Sequence, residues 1–338
     1  MTTISSKANR IPALDFTKGA LVLIMVFYHW LNYFYGPHDS RYLRFLTPSF
    51  IFVTGFLISN VYLSKYGLFN EQLPKRLVQR GLKILGVFAI LNVTRNLLAL
   101  GRSQGETSAH WSTRNLIDVY IMGSGVGGGQ AKAIAFFILV PIGYLLMLSA
   151  VLLVVSRFYR YAFHVACLLF LLCLIGINSQ GLESPNLELL IIGLLGVLVG
   201  HIRWEKLNAL VRHPYLLAAG YLLYLGAITL WNVVYPLQVI GVCLSLMIIY
   251  LVGQRSGEPG KVTGRIVLLG KYSLFGYITQ IAILQFLRLG LNRIDSEIAV
   301  LGLSFGLAFA LTILSVEIVD FTRAGSIAVD RLYKAVFA

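Results

Sequence analysis

Lys18 and His29 lie eleven residues apart in the first long apolar run, which extends from Ile11 to Trp30. Eleven residues make about three turns of α-helix, so the two side chains fall on nearly one face, about 16 Å apart along the axis. With Lys18 at a membrane surface, His29 stands deep in the bilayer or just past its middle. An ionisable group at that depth is costly and points to function, unless neighbouring helices simply bind it. Histidine exchanges protons near neutral pH and can carry a transferred group, so acid–base or covalent chemistry is open to it. Asp15 is placed three residues before Lys18 to pair with it. Trp30, Tyr33 and Tyr35 suit an interfacial aromatic belt. Asn32, one turn beyond His29, is less easily explained as an anchor.

The elements that must position these residues are membrane helices. Of the 338 residues 57% are hydrophobic and 12% charged, and the mean hydropathy is +0.78. Soluble domains carry about 25% charged residues. The apolar residues come in blocks long enough for a hydrocarbon core about 30 Å thick, which takes about 20 residues. The expected fold is all-α: one polytopic membrane domain over residues 1–338, with ten spans. The spans run Leu14–Phe34, Leu46–Ser64, Leu82–Leu100, Ala133–Val155, Phe163–Ile177, Leu187–His201, Tyr215–Val233, Leu237–Gly253, Ile266–Leu287 and Ile298–Val319. Leu73–Lys83 reads as an amphipathic lead-in to the third. A short polar start without a small-residue cleavage site argues against a removable signal peptide. The residues after the last span are too few for a further soluble domain.

Loop charge orients the spans. Alternating the sides from a cytoplasmic amino terminus leaves only Arg41, Arg44, Arg95, Arg102, Arg114, Lys132, Arg288 and Arg293 outside, out of 28 Lys and Arg. The remainder collect inside, as the positive-inside rule requires, and the carboxy terminus returns to the cytoplasm. The net charge of +14 therefore reads as orientation bias plus attraction to anionic lipid. It gives no reason to invoke nucleic acid.

Other features have plain readings. Cys167, Cys173 and Cys243 lie in spans without paired spacing and are packing residues. The GxGxxG within Gly123–Gly129 follows no strand and is an external loop. Asn92-Val93-Thr94 is a glycosylation pattern placed inside a span. His164, His201 and His213 sit at the inner interface. No HExxH, paired-Cys zinc pattern or GxSxG occurs, and no metal is expected.

The pattern Arg10-x3-Leu14-Asp15-x2-Lys18-Gly19-x9-His29 resembles the opening of the acyltransferase-3 membrane proteins and their relatives, among them glucan succinyltransferases and the heparan-glucosaminide N-acetyltransferase group. Phe50-Ile51-Phe52-Val53-Thr54-Gly55-Phe56-Leu57 is similar to that family's Phe-Phe-x-x-Ser-Gly-Phe-Leu. The basic run Pro74-Lys75-Arg76-x3-Arg80 and the segment Leu269-Gly270-Lys271-Tyr272-Ser273-x3-Tyr277 fit in the same order. There are departures: Lys18 stands where Arg is commoner, Thr54 replaces Ser, and Gln280 falls where many relatives place His.

The resemblance implies an integral membrane acyltransferase of the cell inner membrane that moves acetyl or succinyl from cytoplasmic acyl-CoA to an extracytoplasmic glycan or glycolipid. His29 would be base or acyl carrier, supported by Lys18 and Asp15. Lys75, Arg76 and Arg80, with Lys83 nearby, would hold the donor phosphates, although a solvated positive-inside loop explains them equally well. The long external stretch Gly101–Lys132, with His110, Trp111 and Arg114, would meet the acceptor together with Asn32. Asp15, Lys18, Asn32 and Glu317 would line or brace a polar path to His29, with Glu317 alternatively pairing with a cation at the inner end of the tenth span. A homo-oligomer stays open. The competing reading is a proton-coupled transporter or flippase using His29 and Lys18; the lack of an evident internal repeat weakens it.

Overall fold

The computed structural model describes residues 11–35, 40–100, 118–123, 136–202, 206, 208–209, 213–231, 233–256, 260–291 and 296–337. All regular structure among them is helical, the form in which an apolar segment satisfies its own backbone hydrogen bonds within lipid. Helix α1, Pro12–Trp30, continues as a π-helical turn at Leu31–Tyr35. Helix α2, Leu46–Leu57, passes through a second π segment, Ile58–Leu63, into the turn Ser64–Tyr66. There follow α3, Gln72–Leu100, and α4, Leu139–Val155. Next come α5, Ala162–Ser179, α6, Pro185–Gly200, and α7, Pro214–Leu230. The remainder are α8, Tyr235–Arg255, α9, Lys261–Lys271, α10, Ser273–Leu291, α11, Glu297–Gly325, and α12, Ile327–Phe337. Proline opens α1, α6, α7 and α8 at the first or second position, where its missing N–H costs nothing.

Among the described residues, seven helices are long and apolar enough to cross a membrane: Pro12–Tyr35, Arg41–Tyr66, Gln72–Thr94, Ala162–Ser179, Tyr235–Arg255, Ser273–Leu291 and Glu297–Gly325. The protein is a multi-pass membrane protein. The other three expected spans are shorter apolar helices, Leu139–Val155, Pro185–Gly200 and Pro214–Leu230. One boundary is corrected. The expected span Ile266–Leu287 is broken at Tyr272, and the membrane helix starts at Ser273. Lys261, Arg265 and Lys271 put three cations into the eleven residues of α9, which is too many for hydrocarbon. Leu73–Lys83 is continuous with the third span inside α3.

The chain divides into two compact units, Met1–Phe50 with Trp204–Ala338, and Ile51–Arg203. In the first, α1 packs against α8, α9, α10 and α11. One core layer joins Val22, Leu269, Tyr272 and Val316, and the next joins Val26, Trp30, Leu284 and Ala308. Helices α1 and α9 cross with almost no side chain between them. A Cβ on Gly19 would stand 1.9 Å from the Ile266 carbonyl oxygen. Small residues permit such approach, which gains dispersion contact where lipid gives no hydrophobic drive between helices.

The second unit uses the same device. Along α2 and α6, a Cβ on Gly55 would meet the Gly193 carbonyl oxygen at 2.0 Å, and one on Gly196 the Phe52 oxygen at 2.2 Å. The Ser59 hydroxyl donates to the Val197 carbonyl at 2.7 Å, binding the π segment of α2 to α6. Asn186 donates to the Val119 and Tyr120 carbonyls, both at 3.0 Å, and so ties the short π segment Asp118–Met122 to the start of α6.

Candidate active site

His29 occupies the last turn of α1, immediately before the π segment. Single π turns inside helices often accompany functional sites. The side chain is half-buried, and its Nε2 is enclosed with no hydrogen-bond partner among the described residues. Two tyrosine rings adjoin the imidazole. That of Tyr28 lies 5.3 Å away and that of Tyr277, on α10, 6.5 Å away. Tyr277 in turn meets Phe50 at 6.0 Å. Neighbouring Trp30 is anchored by its Nε1, which donates to Ser304 Oγ on α11 at 2.9 Å, and this holds the carboxy-terminal end of α1 in register.

At the other end of α1, Lys18 Nζ lies 2.5 Å from Asp15 Oδ1, with the two side chains 19% and 16% exposed. The expected i, i+3 pair forms within one helix and turns the ammonium toward the amino end, away from His29. Asn32 donates its amide to the Tyr28 carbonyl at 2.9 Å, so that group is engaged by its own helix. Glu317 accepts from Arg265 Nε at 2.8 Å, an ion pair between α11 and α9. His110, Trp111 and Arg114, like Arg10, lie outside the described residues.

Around the Lys18 end, carboxylates pair with Arg265, Lys271, Arg323 and Lys334 of the first unit. Asp320 takes Lys271 Nζ at 2.7 Å and the Tyr272 hydroxyl at 2.5 Å. Burial, followed by that acceptor, pushes the Tyr272 phenol up to about 12. Arg323 lies 4.0 Å over the Tyr333 ring and 2.6 Å from Asp330. Asp330 also binds Lys334 at 2.5 Å. The Lys334 and Arg323 contacts hold its carboxyl below the usual carboxylate range.

The basic run of the second unit differs. Arg76 donates to the Tyr66 hydroxyl at 2.5 Å and to Gln72 Oε1 at 3.4 Å, and Arg80 donates to the Tyr62 hydroxyl. Both guanidinium groups also lie over those tyrosine rings, at 5.0 and 5.9 Å. Every partner is neutral, so among the described residues no carboxylate cancels either charge. Phenols aim the guanidinium planes while leaving their charge for an anion.

The model of the acyltransferase-3 family, described as an acyltransferase domain, matches residues 11–317. The chain belongs to the acyltransferase-3 family. The match begins one residue before α1 and ends at Glu317, so it takes in Asp15, Lys18, His29, the basic run and Tyr277. Neither the comparison with curated proteins nor that with solved structures gives a match. An acyltransferase needs a group that takes the acceptor's proton or carries the acyl group. Within this member of the acyltransferase-3 family, the buried, unpartnered Nε2 of His29 has that capacity. No cluster of His, Cys, Asp or Glu suited to a metal ion occurs among the described residues. Tyr277 entered the sequence reading only as part of a motif and Gln280 only as a departure from one; the structure sets both on the α10 face turned to α1.

Proposed function

We propose that the protein transfers an acetyl or succinyl group from acyl-CoA to an extracytoplasmic glycan or glycolipid at the cell inner membrane, with His29 as base or acyl carrier. The observation that carries this reading is the Nε2 of His29, enclosed without a hydrogen-bond partner among the described residues. A buried imidazole nitrogen left unbound is costly as a mere packing element and well suited to accept a proton from a bound hydroxyl. As general base it takes the acceptor's hydroxyl proton as oxygen attacks the acyl carbon, and it returns that proton to the departing thiolate. As acyl carrier its Nε2 bonds to the acyl carbon as the C–S bond breaks and the thiolate leaves; the acceptor's oxygen then bonds to that carbon, the C–N bond breaks, and the hydroxyl proton goes to the released thiolate or to water. Asp15 and Lys18, paired at the inner end of α1, brace the helix that presents His29. The donor's phosphates are assigned to Arg76, Arg80 and Lys75; the hydrogen-bond partners of the two arginines are neutral, and among the described residues no carboxylate pairs with any of the three.

The test uses purified full-length protein with radiolabelled acetyl-CoA and succinyl-CoA and a cell-envelope glycan fraction. Wild type should label the glycan, and His29→Ala should abolish labelling with its thermal midpoint unchanged or raised. Labelling by His29→Ala within about twofold of wild type removes His29 from the chemistry. Proton-gradient-driven solute uptake without any labelling transfers the site to a transporter.

A further inference from the structure

Gln280 is completely buried at the centre of α10, and neither its Oε1 nor its Nε2 has a hydrogen-bond partner among the described residues. Its direction follows from its neighbours on the same stripe, four residues before and after. A Cβ on Gly276 would meet Val22 of α1 at 3.3 Å, while Leu284 joins Val26 and Trp30 of α1 in the core. Gln280, midway, therefore faces the stretch of α1 between Val22 and Trp30, the stretch that carries His29. Tyr277, three residues earlier on α10, supplies the ring beside the imidazole. From the third side, Thr312 lies midway between the Ala308 and Val316 contacts of α11 and is fully buried. Its hydroxyl donates back to the Ala308 carbonyl at 2.7 Å.

A carboxamide has two donors and an acceptor, and the great majority of buried polar side chains find a partner. Left without one in hydrocarbon, it costs more than an apolar residue of the same size. Two enclosed polar groups without a partner among the described residues, His29 Nε2 and the Gln280 amide, thus lie on facing helices. Their chemistries are complementary: one takes a proton, the other donates a hydrogen bond without ionising.

Resting on the acyl-transfer reading above, we propose that Gln280 is a catalytic residue whose Nε2–H binds the carbonyl oxygen of the acyl group beside His29. The acceptor's hydroxyl oxygen bonds to the acyl carbon, its proton passes to His29 Nε2, and the carbonyl π pair moves onto oxygen. Gln280 donates to that oxyanion. The pair then returns, the C–S bond breaks, and the thiolate leaves with the proton from His29. An uncharged donor suits this depth, because it stabilises developing negative charge without bringing a charge of its own into lipid.

The experiment compares wild type, Gln280→Leu, Gln280→Met, Gln280→His and His29→Ala in nanodiscs, using radiolabelled acetyl-CoA and succinyl-CoA with the glycan fraction. The apolar variants should lose about 100-fold in kcat, the loss typical of one oxyanion donor. Their donor KM should stay within about threefold and their thermal midpoint should not fall. Gln280→His, which keeps an N–H donor, should recover to within about tenfold of wild type. The Met variant serves if the Leu variant does not fold. Folded apolar variants with kcat within threefold of wild type, alongside an inactive His29→Ala, overturn the role of Gln280 and leave that of His29 standing. A lowered thermal midpoint with unchanged kcat makes Gln280 a structural residue and also overturns it. A fully active His29→Ala, or a wild type that labels nothing, overturns both readings together.

Discussion

Gly270 of α9 lies against the backbone of Asp15 so closely that a Cβ on Gly270 would stand 1.7 Å from the Asp15 carbonyl oxygen. The helix turn that carries the Asp15–Lys18 ion pair is therefore set by contact with a residue that has no side chain. Because Gly19 meets Ile266 in the same way, the crossing of α1 and α9 admits no larger residue at either position. The amino-terminal end of the helix that carries His29 is held there.

Gly270→Leu should accordingly destabilise the protein by about 3 kcal/mol, the upper end for overpacking a tight contact. Thermal unfolding of the purified protein reads this directly. Gly264→Leu in the same helix is the control, since a Cβ there meets nothing within 4 Å and should leave the midpoint nearly unchanged. Equal effects at the two positions would mean that the crossing is not a determinant of stability.

Donor binding should show in stability. A ligand that binds only the folded state raises the unfolding midpoint by mass action, adding about 2.7 kcal/mol at a hundred times its dissociation constant. Acetyl-CoA or succinyl-CoA is expected to raise the midpoint, and Arg76→Gln with Arg80→Gln should abolish the shift. Tyr62→Phe, which removes the hydroxyl partner of Arg80, should weaken donor affinity about threefold by loosening the guanidinium. Retention of the full shift in the double variant would place the phosphates elsewhere.

Helix α12 should detach in acid. Asp330 is held below the usual carboxylate range by Lys334 and Arg323. A carboxyl with a lowered folded-state value contributes stability above its unfolded value, about 3.9, and loses it as pH falls through the folded value. Hydrogen exchange of Ile327–Phe337 should therefore be slow and level from pH 7 to 5 after correction for the intrinsic rate, then accelerate below about pH 4. Asp330→Asn should give the fast exchange at pH 7. Exchange in that variant matching wild type would show that the ring contacts of Tyr333 with Tyr272 and of Phe337 with Phe275 are enough to dock the helix.

Trp30→Phe should cost about 1 kcal/mol beyond its change in packing, because the Nε1 bond to Ser304 is lost between buried groups. A double-mutant cycle with Ser304→Ala isolates that term. A coupling energy near zero would show that the apolar contacts with Phe305 and Leu284, and not the hydrogen bond, align α1 with α11.

Much of this protein is local and was legible in the chain. The apolar blocks specified membrane helices because block length and charge depletion are one-dimensional properties, read without knowing any neighbour. The Asp15–Lys18 pair was legible for a similar reason: residues three apart on a helix meet wherever that helix is placed. The ordered motifs of α1, α2, α3, α9 and α10 pointed to the acyltransferase-3 family. Which face of each helix is buried, and against what, depends on rotations and crossings that no periodicity records. Glu317 was expected to line or brace a path, and its ion pair with Arg265 depends on α9 breaking at Tyr272 and lying beside α11. Tyr277 comes to His29 only because α10 runs alongside α1. The same packing turns Gln280 inward, where burial deprives its amide of water. A buried polar group acquires its meaning from what surrounds it, and those surroundings are assembled from residues up to 274 positions apart, as in Trp30 and Ser304.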